Sequence, residues 1–424
     1  MLALVAGLVA SVSVVPAGAQ TPEVDYDVDD DGLIEISSLA QLNAIRWDLD
    51  GDAAADVYPP SKDGYTGHDP DGATKYAAAF PNAAANMGCP ADGCDGYELA
   101  ADLDFDTNGN GSADSGDDFW NDGKGWVPLM GGERINTGEK EERFTDQVGS
   151  AYNGDRPHSL ARMFTAVFEG NGRTIANLYI NDSGRFYVGL FGYIGPGAHV
   201  RNLGLSDPNS DSGVKGNQVV GALAGILEGG RVSGVYSHVD VSVSRSDAGG
   251  LIGTNWRQGV IVESYATGDV SGHDSVGGLV GMLNQAGATA VYATGNVTTS
   301  NSTAGGLVGF RPGGYVRAAY ATGDVTVTNG YYYNGSNWYL PNQNNAVAGG
   351  LAGLYVHGNS RETRANYSTG AVTVPDGHAG SGGLIGLCRP DPGDEPEASY
   401  WDAEASGVSS GECAAGHTTA QLQA

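Results

Sequence analysis

Positive charge is scarce in this chain: 21 Lys and Arg stand against 50 Asp and Glu, a net charge of −29. Such a field repels nucleic acid and anionic lipid, so both are excluded as partners and cations become the natural ligands. Cysteine is nearly absent too. The four that exist fall into two local pairs, Cys89 with Cys94 and Cys388 with Cys413, and without a C-x-x-C spacing they point to two disulfides in an oxidising compartment rather than to zinc. No window carries a long helical periodicity, and after residue 19 no apolar run approaches the ~20 residues that span a bilayer. His-Glu-x-x-His is missing and the eight His are scattered, which removes the common metallopeptidase arrangement.

What is abundant is glycine, 68 residues of 424, with charged residues only 17%. That balance favours many short strands joined by tight turns. Residues 1–19 are apolar or small and end in Ala17-Gly18-Ala19, the pattern of a cleaved signal peptide, so the chain is expected to be secreted or held at the cell surface or outer envelope. The acidity is concentrated beyond it. Residues 21–122 hold 24 acidic residues against Arg46, Lys62 and Lys75.

From residue 186 onward one pattern recurs, centred on Leu190, Leu223, Leu251, Leu279, Leu307, Leu351 and Leu384, as in Gly249-Gly-Leu-Ile-Gly253 and Gly277-Gly-Leu-Val-Gly281. Three successive intervals are 28 residues. A second ladder keeps step with it: Ser264-Tyr-Ala-Thr-Gly-Asp-Val270, Val291-Tyr-Ala-Thr-Gly-Asn-Val297, Ala319-Tyr-Ala-Thr-Gly-Asp-Val325 and Asn366-Tyr-Ser-Thr-Gly-Ala-Val372. A period of this length predicts an all-β fold, a right-handed parallel β-helix with one coil per repeat. Three strands per coil are expected: Gly-Leu-hydrophobic, Tyr-Ala-Thr and Val-x-Val. The leucines should stack inward, and the glycines should serve corners that need a positive φ and bends where closely stacked coils leave little room for a Cβ. Leu39, Leu42 and Ile45 recur at helical spacing after Ser37 and Ser38, predicting a short amphipathic helix that caps the first coil.

These repeats resemble the GLUG family of bacterial exported proteins. The likeness extends to Ile36-Ser-Ser-Leu-Ala-Gln-Leu-Asn-Ala-Ile45, Gly96-Tyr-Glu-Leu-Ala-Ala-Asp-Leu-Asp-Phe105, Gly125-Trp-Val-Pro-Leu129 and Phe168-Glu-Gly-Asn-Gly-Arg-Thr-Ile-Ala-Asn-Leu178, which are similar to that family's entry into its solenoid. The resemblance implies a parallel β-helix on an exported protein, commonly an adhesin-like region or an accessory part of a larger surface protein, and no chemistry of its own. The expected organisation is a signal peptide at 1–19, an acidic cap region at 20–95, entry coils at 96–185, GLUG repeats at 186–390 and a closing segment at 391–424. Ser399-Tyr-Trp-Asp402 and Thr418-Thr-Ala-Gln-Leu422 resemble the family's closing segment.

Two stretches suit calcium. Asp27, Asp29 and Asp31 alternate before Gly32, with Ile34 at position eight and Glu35 at nine, the oxygen spacing of a calcium loop. Its twelfth position is Ser38 rather than Glu, so the site needs completion from elsewhere, for which Asp48, Asp50 and Asp52 are candidates. Asp104, Asp106 and Asn108 begin a second stretch, for which an Asx-rich turn is the competing reading. Asp269, Asn296 and Asp324 of the Thr-Gly-Asp ladder are expected to be turn residues. Between Val327 and Ala348 an insertion breaks the period with Tyr331, Tyr332, Tyr333, Trp338 and Tyr339. Insertions in solenoids map to one face, and aromatics beside amides suit a glycan or protein partner at the cell surface. The expected function is therefore a calcium-stabilised surface or adhesion module that is not an enzyme. The alternatives are a glycan-active β-helix enzyme, of polysaccharide lyase or hydrolase type, and a structural spacer.

Overall fold

The computed structural model describes residues 23–47, 72–90, 93–130, 163–210, 212–329, 346–356, 363–375, 380–389, 395–409, 411 and 413–423. They form a parallel β-solenoid. Its coil holds five short strands rather than the three expected: Arg231–Ser233, Tyr236–Ser237, Val241–Val243, Asp247–Gly249 and Ile252–Trp256 make up one turn. Each pairs in parallel with its equivalent in the next coil, giving five parallel sheets. The sheet containing the stacked tyrosines has ten strands, the one beginning at Leu33–Ile36 has eight, and the other three have seven. Sequence reading merged strands because two residues are too few to show an alternating pattern.

Leucine placement is as expected. The Leu251 N–H donates to the Leu279 carbonyl (3.0 Å), Leu279 to Leu307 (2.9 Å) and Leu307 to Leu351 (2.8 Å), and all seven signature leucines are buried. Every Leu carbonyl from Leu251 to Leu384 accepts a second N–H, that of the residue after the leucine in the preceding coil, as Ile252 does to Leu279 (3.1 Å). Backbone groups at the corner are thereby paired, as a dry interior demands.

Of the two reasons expected for the signature glycines, the positive φ is overturned and the lack of room for a Cβ holds. None has a positive φ. A Cβ on Gly277 would collide with the Val280 carbonyl oxygen and lie 2.6 Å from the Gly309 amide nitrogen, so the requirement is close backbone approach at the bend. Left-handed backbone occurs elsewhere, two residues before each tyrosine of the ten-stranded sheet: Gly234 (φ 63°), Glu263 (50°), Ala290 (54°), Ala318 (48°), Ala365 (56°) and Ala398 (45°). Those corners are held by interstrand bonds such as Ala290 N–H to Arg317 O (3.0 Å), which over-determine a conformation that costs an L-residue roughly 1–2 kcal/mol.

At the N-terminal end, Leu33–Ile36 already pairs in register with Gly96–Leu99, so the sheet reaches back into the stretch expected to be only a cap. The helix Leu39–Ala44 follows. The Ser38 side chain accepts from the Gln41 N–H, and Leu39 and Leu42 are buried, as N-capping and helical spacing predict. A second helix, Gly72–Ala79, packs beside it. At the other end Trp401 is buried under the last coil, and Thr419–Leu422 forms a short helix with Thr418 and Gln421 in a capping box. Both disulfides join the expected partners, with Cα separations of 5.2 Å for Cys89–Cys94 and 6.3 Å for Cys388–Cys413.

Candidate functional site

The acidic N-terminal loop closes on itself. Asp27 is fully buried and accepts the Gly32 N–H on both carboxylate oxygens (3.2 Å each). Asp31 accepts the Leu33 N–H (2.9 Å) and Glu35 accepts the Val28 N–H (2.7 Å). Asp27, Asp29 and Asp31 bring one oxygen each within 4.8 Å of one another, and Asp29, Glu35 and Glu98 do the same. Asp29 belongs to both groups, so five carboxylates converge.

Glu98 is the member that sequence reading missed. It stands opposite Glu35 because their strands pair in register, and it is only 6% exposed. A signal existed: Leu33-Ile-Glu-Ile36 and Gly96-Tyr-Glu-Leu99 place Glu at the same point of two similar strands, but only the pairing shows that those points touch. Burial raises the Asp27, Glu35 and Glu98 carboxyls above their ordinary range, with the neighbouring carboxylates adding to the effect, while backbone N–H groups, and Asn171 at Glu98, oppose it. Asn171 Nδ2 donates to Glu98 (2.7 Å). In the following coil Glu169 lies opposite Glu98 and is compensated by Arg201. Among the described residues no cation is bonded to Glu35 or Glu98, and Glu35 Oε2 is buried without a hydrogen bond. Asp48, Asp50 and Asp52 lie outside the described residues, as do Tyr331, Tyr332, Tyr333, Trp338 and Tyr339.

The second acidic loop is a web of Asx turns. Asp104 accepts the Asp106 N–H (2.9 Å), Asp106 accepts Asn110 and Gly111 (3.1 and 2.8 Å), and Asn108 accepts Asn110 (3.0 Å). Asp117 accepts Asn108 and Asp114 (3.2 and 3.0 Å). Asp114 accepts from Gly116 N–H, Asn110 and Asn108, which hold its carboxyl below the usual carboxylate range.

Outside the solenoid, Tyr236, Tyr265, Tyr292, Tyr320 and Tyr367 stack in one column, with ring centroids 4.5–5.2 Å apart and planes within 12° of parallel. Ring faces are consumed by one another, so edges and hydroxyls meet the solvent. The Thr-Gly-Asp corner beside them forms the turn ladder that was expected: Asp240, Asp269, Asn296 and Asp324 each accept the backbone N–H at the same position of the next coil (2.7, 2.7, 3.1 and 2.9 Å). One coil departs from the pattern. Asp247 occupies a column otherwise held by Tyr187, Val219, Ser275, Thr303, Val347 and Gly380, and Thr254 Oγ1 donates to it (3.1 Å). Burial, aided by nearby Asp274, pushes its carboxyl up to about 7. His273 Nδ1 lies 3.0 Å from Asp274.

No family model matches the chain. Over 175 residues it is 28% identical to halomucin of Haloquadratum walsbyi, a match that covers 41% of this chain and 2% of that protein. The chain thus spans a very small part of the curated relative it matches. Among solved structures, a protein from Bacteroides ovatus titled a "putative immunoglobulin A1 protease" aligns with a TM-score of 0.44 at 16% identity, covering 72% of this chain and 77% of that one. An IgA1 protease aligns at 0.42 and 18%, covering 72% and 20%. These likenesses are too low to carry an argument about activity.

Proposed function

We propose that the chain is an exported, surface-displayed β-solenoid module of the GLUG type that binds a glycan or protein partner and is braced by calcium at its N-terminal end. The observation that carries the calcium part is the convergence of Asp27, Asp29, Asp31, Glu35 and Glu98, which offers a hard cation carboxylate oxygens on both of the first two coils. A cation there offsets charge that no Lys or Arg among the described residues compensates. The surface part is supported by the two disulfides and by the similarity to part of halomucin. An unbroken tyrosine column beside rows of Thr and Asx suits an elongated partner, since each coil presents the same groups again.

The test is thermal melting with and without calcium. A large rise in melting temperature, abolished by Asp29→Ala with Asp31→Ala and reduced by Glu98→Gln, supports the reading by linkage; an equal rise in the variants refutes it. For the partner, a glycan array and cell-surface binding are compared between wild type and Trp338→Ala with Tyr332→Ala. Unchanged binding removes the aromatic insertion from the site.

The enzymatic alternative rests on Asp247, His273 and Asp274, titratable groups that the other coils do not repeat. If release of reducing ends or unsaturated products from polysaccharides is detected and lost in Asp247→Asn, that alternative replaces the binding one.

A further inference from the structure

We propose that Asp106 to Asp117 form a second calcium site, a twelve-residue oxygen-ligand loop completed by the side-chain oxygen of Asn177 from the adjacent coil. This extends the calcium-braced reading but depends on separate residues, so the two can fail independently.

Read from Asp106 rather than Asp104, the loop presents Asp106, Asn108 and Asn110 at positions one, three and five, Gly111 at six, the Ser112 carbonyl at seven, Asp114 at nine and Asp117 at twelve. That is the spacing by which a single loop wraps a calcium ion, with Asp in place of the usual final Glu. Gly111 has a φ of +81°, the sharp turn that position six requires. The N–H bonds already described leave lone pairs on the acceptor oxygens, since a carboxylate oxygen accepts more than one partner. Residues 104–118 contain five Asp and neither Lys nor Arg.

The independent observation comes from the neighbouring coil. Asn177 is 6% exposed and lines a small cavity together with Asp106, Ser112, Asp117 and Trp120. Its Nδ2 donates to Asp104 (2.7 Å). A carboxylate only accepts, so this bond fixes the amide orientation and makes Oδ1 the free end. Asn177 Oδ1 is buried without a hydrogen-bond partner, and so is Ser212 Oγ on the same cavity. A buried acceptor left unpaired costs about 1–3 kcal/mol. A cation beside it satisfies that oxygen and neutralises the loop at once. Asp104, expected as a ligand, instead becomes the residue that positions Asn177.

Terbium is the probe, because Trp120 and Trp126 line the cavity and transfer excitation only over short range. The full chain is excited in the tryptophan band, and calcium is titrated against the bound terbium. Expected are tryptophan-sensitised emission that calcium displaces, an affinity at least about tenfold weaker in Asp106→Asn with Asp117→Asn, and an undiminished signal in Asp29→Ala with Asp31→Ala. The Asn substitutions keep the hydrogen-bond acceptors of the loop. Should that double variant fail to fold by circular dichroism, Asp117→Asn alone and Asn177→Ala take its place, each expected to weaken binding severalfold. The proposal is overturned if wild type gives no calcium-displaceable emission, if the loop variants bind as wild type does, or if the emission vanishes in the Asp29 and Asp31 variant instead.

Discussion

Glu35 and Glu98 face each other across two hydrogen-bonded parallel strands, like charges placed in register at the first two coils. Opposed like charges destabilise a sheet, and burial has raised both carboxyls above their ordinary values. A raised native value means that the folded chain holds its proton longer than the unfolded chain as pH climbs. Stability from these groups is therefore fully present below about pH 4, the unfolded carboxylate value, and is lost as pH rises through the native values. In calcium-free buffer the melting temperature should rise as pH is lowered through the raised native values toward the unfolded one, and saturating calcium should flatten that dependence. Glu98→Gln should stabilise the calcium-free protein and shrink the calcium increment, which calorimetry with chelator and with calcium checks.

Asp247 carries the same sign with a larger effect. With its carboxyl pushed up to about 7, against about 4 unfolded, ionisation opposes folding by on the order of 4 kcal/mol at most above neutral pH. Asp247→Asn, which retains an acceptor for Thr254, should raise the melting temperature at pH 8 and change it little near pH 4. Asp247→Val, matching Val219 and Val347 in its column, should act in the same direction. Melts of both variants across pH would detect the opposite sign.

Two glycine exchanges should act oppositely. Gly277→Ala introduces a Cβ against the Val280 carbonyl and the Gly309 amide, backbone atoms that cannot swing aside, and should cost several kcal/mol or prevent folding. Ala290→Gly removes the strain of a left-handed alanine at φ 54° and should stabilise by about 1 kcal/mol, less the added entropy of the unfolded chain. Denaturant midpoints decide both.

Leu279 lies in an unbroken column between Leu251 and Leu307. Leu279→Ala should cost about 2–5 kcal/mol through lost burial and the residual cavity, and Leu279→Asp should abolish folding by burying an unpaired charge. An unchanged melting temperature in the Asp variant would refute the inward stack.

By itself the sequence determined the solenoid. The 28-residue recurrence of leucine and glycine, Ser38 before Leu39, and the two cysteine pairs each state a local requirement that survives in any model of the fold, because burial, capping and covalent reach act over short distances. It also marked Asp27, Asp29, Asp31 and Glu35 through their spacing. What it did not contain is which residues meet across coils. Glu98 lies 63 positions from Glu35 and Asn177 lies 71 from Asp106; they are neighbours only because parallel strands stack in one register. Strand number per coil was likewise settled by backbone pairing, as was the choice between positive φ and close approach as the reason for the signature glycines, since the carbonyls concerned approach only after the bend has formed. Tertiary structure therefore decided where the acidic side chains meet, since electrostatic partners in a solenoid are set by coil stacking and not by distance along the chain.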